Sequence, residues 1–165
     1  MTTYGTISLD GSQAAVRFER QYAASAQELW SALTHPEQMG RWLGAEVSIE
    51  GRVGGAVTLR WAGGEEMQGV ITTFEPGRLL EYTWREAAMG IDSVVRFQLQ
   101  AGPSGTVLVL EHAQVPADQA PGLGAGWHGH LDALAATLEG RALDPHERFQ
   151  ELGPEYASRW ADGSR

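Results

Sequence analysis

The stretch PGLGAGWHGHLDALAATLEG, Pro121 to Gly140, decides the reading of this chain. Trp127, Leu131, Leu134 and Leu138 recur at steps of four, three and four, with Leu123 one turn earlier. That period places them on one apolar stripe of an α-helix. Leu, Ala and Glu between Leu131 and Glu139 are good helix formers, and Gly140 before Arg141 suits a C-terminal cap. Off the stripe the side chains are small: Gly124, Gly126, Gly129, Ala133 and Ala136. A helix so bare can lie close against a backbone or border a cavity. Roughly 18 helical residues span ~27 Å, about the length of an eight-residue strand. A long sheet can therefore wrap this helix, and the upstream sequence supplies one.

Tyr4 to Leu9, Asp10-Gly11 and Ala14 to Tyr22 read as two strands joined by a tight turn. Ser25 is a good N-cap, and Glu28 three residues on closes a capping box for a helix that buries Leu29, Trp30 and Leu33. Pro36 ends that helix and opens a short second one through Gln38, Met39 and Trp42. Short strands follow at Glu46 to Glu50, Ala56 to Trp61, Glu65 to Phe74, Arg78 to Arg85, Ser93 to Gln100 and Thr106 to His112, separated by Gly- and Pro-containing turns. Hairpin-length connections without crossover helices predict an antiparallel meander and exclude a parallel sheet. The class is α+β. Residues 1–141 are expected to form one domain, and 142–165 a helical tail with Phe149, Leu152, Tyr156 and Trp160 at helical spacing, interrupted or kinked at Gly153-Pro154. The tail's apolar residues either cap the sheet or dock on a second copy, which would make a homodimer.

The chain has 165 residues, enough for one core. Its net charge is −9, with twelve arginines and no lysine, which argues against a nucleic-acid or anionic-membrane surface. Absence of Cys excludes disulfides and thiolate metal sites. The N-terminus lacks a basic, apolar leader and no apolar run approaches ~20 residues, so a soluble cytoplasmic protein is expected.

Five patterns in order resemble a known family: Leu29-Trp30, Leu33-Thr34, Pro36 and Trp42; the turn Val53-Gly54-Gly55; Gly69-Val70, Pro76, Arg78-Leu79, Tyr82 and Trp84; Gly105-Thr106, Leu108, Leu110 and His112; and Gly126-Trp127 with Leu131, Leu134 and Leu138. Together, over about Val16 to Gly140, they resemble the group named after the activator of heat-shock protein 90 ATPase homologues. That group belongs to the START and birch-pollen-allergen-like, or SRPBCC, superfamily. The resemblance implies a helix-grip fold: a curved antiparallel sheet of six or seven strands, two short helices after the first core strand, and a long C-terminal helix gripped around an apolar pocket. It implies no single activity, since similar proteins bind lipids and hormones, cyclise or aromatise polyketides, or activate chaperones.

The expected walls of the pocket are Trp61, Met67, Tyr82, Trp84, Phe97 and Trp127, aromatics in excess of what one helix needs for its core. His112, read as ending its strand on the face of Leu108 and Leu110, and His130, beside Leu134, are the candidate polar handles; each also reads as a satisfied structural histidine. His128 falls on the helical wheel with Asp132 and Glu139, a solvated polar face. It points ~200° from His130, so the two cannot share an ion and no metal site is expected. Glu65-Glu66 and Glu111 are candidate bases that also read as solvated carboxylates. No nucleophile elbow or Walker loop occurs, and Gly122 to Gly126 follows no buried parallel strand, so no cofactor is expected. The first expectation is a binding domain for a small apolar or aromatic molecule. The alternatives are a cyclase or aromatase-type enzyme and a chaperone-activating partner, the last weakened by the lack of a second chaperone-binding domain.

Overall fold

A computed structural model describes residues 4–161. Strand β1 (Thr6–Asp10) turns through Gly11-Ser12 into β2 (Gln13–Tyr22), with Asp10 paired to Gln13 and Gly11 at φ 65°. Helix α1 (Ala26–Thr34) carries the capping box: Ser25 Oγ accepts from Glu28 N–H, and Glu28 Oε2 accepts from Ser25 N–H at 2.8 Å. Helix α2 (Pro36–Leu43) buries Met39, Trp42 and Leu43. Strands β3 (Glu46–Ile49), β4 (Ala56–Arg60), β5 (Glu66–Glu75), β6 (Leu79–Glu86), β7 (Ile91–Gly102) and β8 (Gly105–Pro116) precede helix α3 (Ala120–Leu138) and helix α4 (Pro145–Ala161).

All eight strands join one antiparallel sheet in the order β1-β2-β8-β7-β6-β5-β4-β3, one or two strands more than the resemblance implies. The surplus lies at the edges, where β1 extends the sheet beyond β2 and the short β3 closes the other side. Bulges between Ala14 and Val16 and between Ile71 and Thr73 bend the strands. At Gly69 the strands approach so closely that a Cβ would stand 2.0 Å from the Thr83 carbonyl oxygen. Bulges and close approach together curve the sheet into a grip. Its inward face buries Val16, Phe18, Leu59, Tyr82, Phe97 and Leu110, and α3 seats Leu131 and Leu134 in the same core. Tyr22 on β2 donates its hydroxyl to the Leu131 carbonyl at 3.1 Å, tying strand to helix.

Helix α3 ends as its sequence requires. Gly140 adopts φ 72°, its N–H donates to Thr137 O, and Arg141 N–H donates to Ala136 O at 2.8 Å, the paired bonds of a Schellman cap.

Three expectations need correction. Strand β8 runs four residues past His112, which pairs with both Val16 and Val95 and so sits inside the sheet rather than at a strand end. Helix α4 is unbroken through Pro154; the missing N–H would have bonded Gln150 O, and Gln150 is exposed, so water can take that carbonyl. His128 is not on a solvated face but fully buried. The wheel grouped it with Asp132 without knowing that α4 would cover that side of α3. Tyr156 on α4 accepts the Gly5 N–H at 2.9 Å, and its hydroxyl is hydrogen-bonded to His128 Nδ1 at 2.8 Å. Asp132 in turn accepts from Arg20 on β2 at 2.9 Å and from Arg148 on α4 at 2.8 Å.

The small residues of α3 divide by neighbour. Gly124 and Gly129 lie under α4: a Cβ at Gly124 would stand 2.9 Å from the Tyr156 ring, and one at Gly129 2.8 Å from Pro145 O. Gly122 and Gly126 have nothing within 4 Å of that position. They face open space, and that space is the cavity.

Candidate functional site: an aromatic cavity between the sheet, the long helix and the tail

Between the mouth of the sheet and the first half of α3 lies a cavity of about 250 Å³. The sheet contributes Trp84 and Glu86 from β6, and Trp61 follows β4. Helix α3 contributes Leu123, Gly126, Trp127 and His130, spaced so that one side of the helix faces the space. The end of α2 supplies Leu43, and the start of the tail supplies Pro145 and Phe149, with Asp144 and His146 at the exposed mouth.

The indoles form a continuous aromatic wall. Trp84 meets Trp127 edge to face with centroids 5.2 Å apart, and Trp61 lies 6.4 Å from Trp84. Each indole N–H is already used: Trp61 donates to Leu43 O at 3.0 Å, Trp84 to Glu86 Oε1 at 3.1 Å, and Trp127 to His112 Nδ1 at 2.9 Å.

Of the residues expected to wall the pocket, Trp61, Trp84, Trp127 and His130 line this cavity. Met67, Tyr82, Phe97 and His112 are buried in the core around it and do not line it. Phe97 packs 5.9 Å from Trp127, and Tyr82 stacks at 6.4 Å on Trp84, so they set the angle of the lining indoles. His112 is held in one tautomer. Because Nδ1 accepts from Trp127, Nε2 carries the hydrogen and faces Ser93 Oγ at 2.6 Å; Ser93 then donates to Trp84 O at 2.9 Å. Burial pushes the His112 pKa down to about 3, and neither ring nitrogen is left for a ligand.

His130 differs. A carbonyl can only accept, so the 3.1 Å contact with Trp42 O places a hydrogen on Nδ1 and leaves Nε2 as an acceptor. Burial lowers its pKa to about 4, against the opposing pull of the Trp42 carbonyl, so the ring is neutral near pH 7.

Several lining residues were missed by sequence reasoning, among them Leu43, Leu123, Pro145, Phe149 and, the one with an enclosed charge, Glu86. Leu80, Tyr82 and Trp84 alternate inward along β6, and the next step of that alternation is Glu86. The signal was present but ran past the end expected for the strand. Burial raises its pKa; the Trp84 hydrogen bond opposes the shift and the nearby Glu65 charge adds to it. None of the carboxylates considered from sequence lines the cavity: Glu65 is exposed, though near enough for its charge to act on Glu86, Glu66 pairs with Arg60 and Gln68 on the surface, and Glu111 is exposed. Among the described residues no group of three or more His, Asp or Glu could hold a metal ion, and no helix is long and apolar enough to cross a membrane.

A sheet closed round a terminal helix, with an aromatic cavity at one end, is matched by a family model described as activator of Hsp90 ATPase homolog 1-like protein, over residues 23–139. The chain belongs to that family. The match runs from α1 through α3 and leaves out β1, β2 and α4, so the cavity wall formed by Pro145 and Phe149 lies outside the matched segment. Protein MLL2253 from Mesorhizobium loti is 29% identical with a TM-score of 0.71, over 78% of this chain and 99% of its own. CalU16 from Micromonospora echinospora is 28% identical with a TM-score of 0.72, over 93% of this chain and 94% of its own. DynU16, described as a putative protein in the dynemicin biosynthetic locus, shares the fold at 24% identity and a TM-score of 0.71, over 78% of this chain and 48% of its own. No curated protein matches the chain significantly.

Proposed function

We propose that this protein binds a small apolar or aromatic molecule in the cavity between β6, α3 and the start of α4. The observation that carries this reading is the wall of Trp61, Trp84, Trp127 and Phe149 around about 250 Å³ of space. Trp61 and Phe149 turn part of their rings to the cavity, and Trp84 and Trp127 back it with little surface of their own; they offer a guest apolar contact without asking it for a hydrogen bond, because the indole N–H groups are spent. The two glycines on this side of α3 keep the space open. The test is native mass spectrometry of the purified protein for a retained small molecule, with calorimetric titration of a neutral naphthalene-sized probe. Binding that is lost on Gly126→Phe, in a protein that still melts cooperatively, supports the reading. Unchanged binding in that variant, or no binding by the parent, overturns it.

One observation favours a second reading, proton transfer on the bound molecule as in a cyclase. Glu86 is a half-buried carboxyl with a raised pKa facing the same space as the neutral acceptor His130. His112 takes no part in either reading, since both of its nitrogens are held within the protein.

A further inference from the structure

The polar groups of the cavity are of one kind. The three indole N–H groups are spent on protein acceptors, and Nδ1–H of His130 is spent on Trp42 O. What the enclosed side chains still offer is Nε2 of His130 and the carboxylate of Glu86, of which only Oε1 is engaged, by Trp84. Both are acceptors. At the mouth Asp144 adds a second carboxylate, with Oδ1 accepting from His146 N–H. His146 is the one lining side chain there with a ring hydrogen to give, and it is exposed. No arginine lines the cavity, and the chain has no lysine.

A ligand whose polar atoms are carbonyls or carboxylates finds no enclosed side-chain donor here and meets an unbalanced negative charge. A ligand carrying a positive charge finds three things that favour it. Trp61, the half-buried indole of the lining, attracts cations through its ring quadrupole. The Glu86 carboxylate sits against that wall, bonded to one of its indoles. The chain as a whole carries a net charge of −9, which draws cations toward it. Resting on the binding role proposed above, we infer that the ligand of this cavity is an organic cation: a compact aromatic or alicyclic body, packed against Trp61, Leu123 and Phe149, with a protonated amine directed at Glu86 and His130 Nε2.

The inference is tested with three probes of equal bulk that differ only in the polar group: 2-naphthylmethylammonium, 2-naphthalenemethanol and 2-naphthoate. Calorimetric titration into the full chain at neutral pH and low salt is expected to rank them in that order, the ammonium binding about tenfold or more tighter than the alcohol. Glu86→Gln keeps shape and removes the charge; it should weaken the ammonium more than the alcohol and bring the two to within about twofold of each other. Equal affinities for ammonium and alcohol, or tightest binding of the naphthoate, overturn the charge assignment and leave the binding role standing. Binding of none of the three overturns both. The ranking in the parent protein does not depend on whether Glu86→Gln folds. A melt of that variant, with and without the alcohol, separates lost charge from lost structure.

Discussion

The indole nitrogen of Trp127 donates to Nδ1 of His112 at 2.9 Å, across the boundary between α3 and β8. This bond joins the gripped helix to the middle of the sheet and fixes the face that Trp127 turns to the cavity. His112→Leu leaves the Trp127 N–H buried without an acceptor, while Ser93 keeps its bond to Trp84 O. An orphaned buried donor costs ~1–3 kcal/mol, and chemical denaturation should show a loss of that size. Probe affinity of the folded protein should stay within about twofold of the parent, because His112 does not line the cavity. A fall in affinity with stability intact would place His112 in the binding site instead.

Trp127→Ala should lose both properties. Trp127 is 2% exposed and contacts Trp84, Phe97, His112 and His130. Truncating such a tryptophan costs ~3–5 kcal/mol of a total stability near ~5–15 kcal/mol. An unchanged denaturation midpoint would contradict the packing described.

Two glycines three residues apart on α3 should respond with opposite sign. At Gly126 a Cβ has open space, so Gly126→Ala gains helix propensity, ~1 kcal/mol, and shrinks the cavity. At Gly129 a Cβ stands 2.8 Å from Pro145 O and 3.3 Å from Phe149 N, backbone atoms of α4 that cannot yield without shifting the helix. Gly129→Ala should destabilise, since overpacking costs ~1–3 kcal/mol against the same propensity gain. Thermal melts of the two variants side by side check the contrast; equal shifts would mean that α4 does not press on α3 at Gly129.

Acid should unfold the protein earlier than its carboxylates alone would require. Burial lowers the pKa of His112 to about 3 and of His130 to about 4, and burial also lowers that of His128, against the attraction of Asp132. Folding therefore favours the neutral rings. Their contribution is complete above the unfolded value near ~6.5 and is lost as pH falls toward the folded values. In that window the unfolded chain binds the extra protons, and each histidine removes up to ~1.4 kcal/mol per pH unit. With three such rings the loss approaches ~4 kcal/mol per unit around pH 5. Urea midpoints measured at pH 7.5, 6, 5 and 4.5 should fall steeply below about pH 6; a flat profile to pH 4.5 would show that these rings are accessible in the folded state.

The long helix, the capping box at Ser25, the alternation along β6 and the Schellman ending at Gly140 were legible because each rests on local periodicity or local backbone chemistry. The environment of His128 was not, because its polarity class depends on Tyr156, which is 28 residues away on a helix that lies outside the family pattern. The cavity was half legible for the same reason. Trp61, Trp84, Trp127 and His130 were identifiable as inward positions, but the division between lining residues and the supports Met67, Tyr82, Phe97 and His112 depends on how deeply the sheet closes over α3. Glu86 followed from the pattern of its own strand once the strand was extended by one residue.

Helix α4 makes the cavity a joint between two parts of the chain. The tryptophans that face the cavity lie between residues 61 and 127, whereas the wall opposite them begins at Asp144. Helix α4 thus closes over the sheet and α3 from a segment that follows them in the chain, and it is fastened where Tyr156 accepts the N–H of Gly5, just before β1. The polar clasp formed by Gly5, Tyr156 and His128 makes this wall depend on three segments at once: the start of β1, the middle of α3 and the far half of α4.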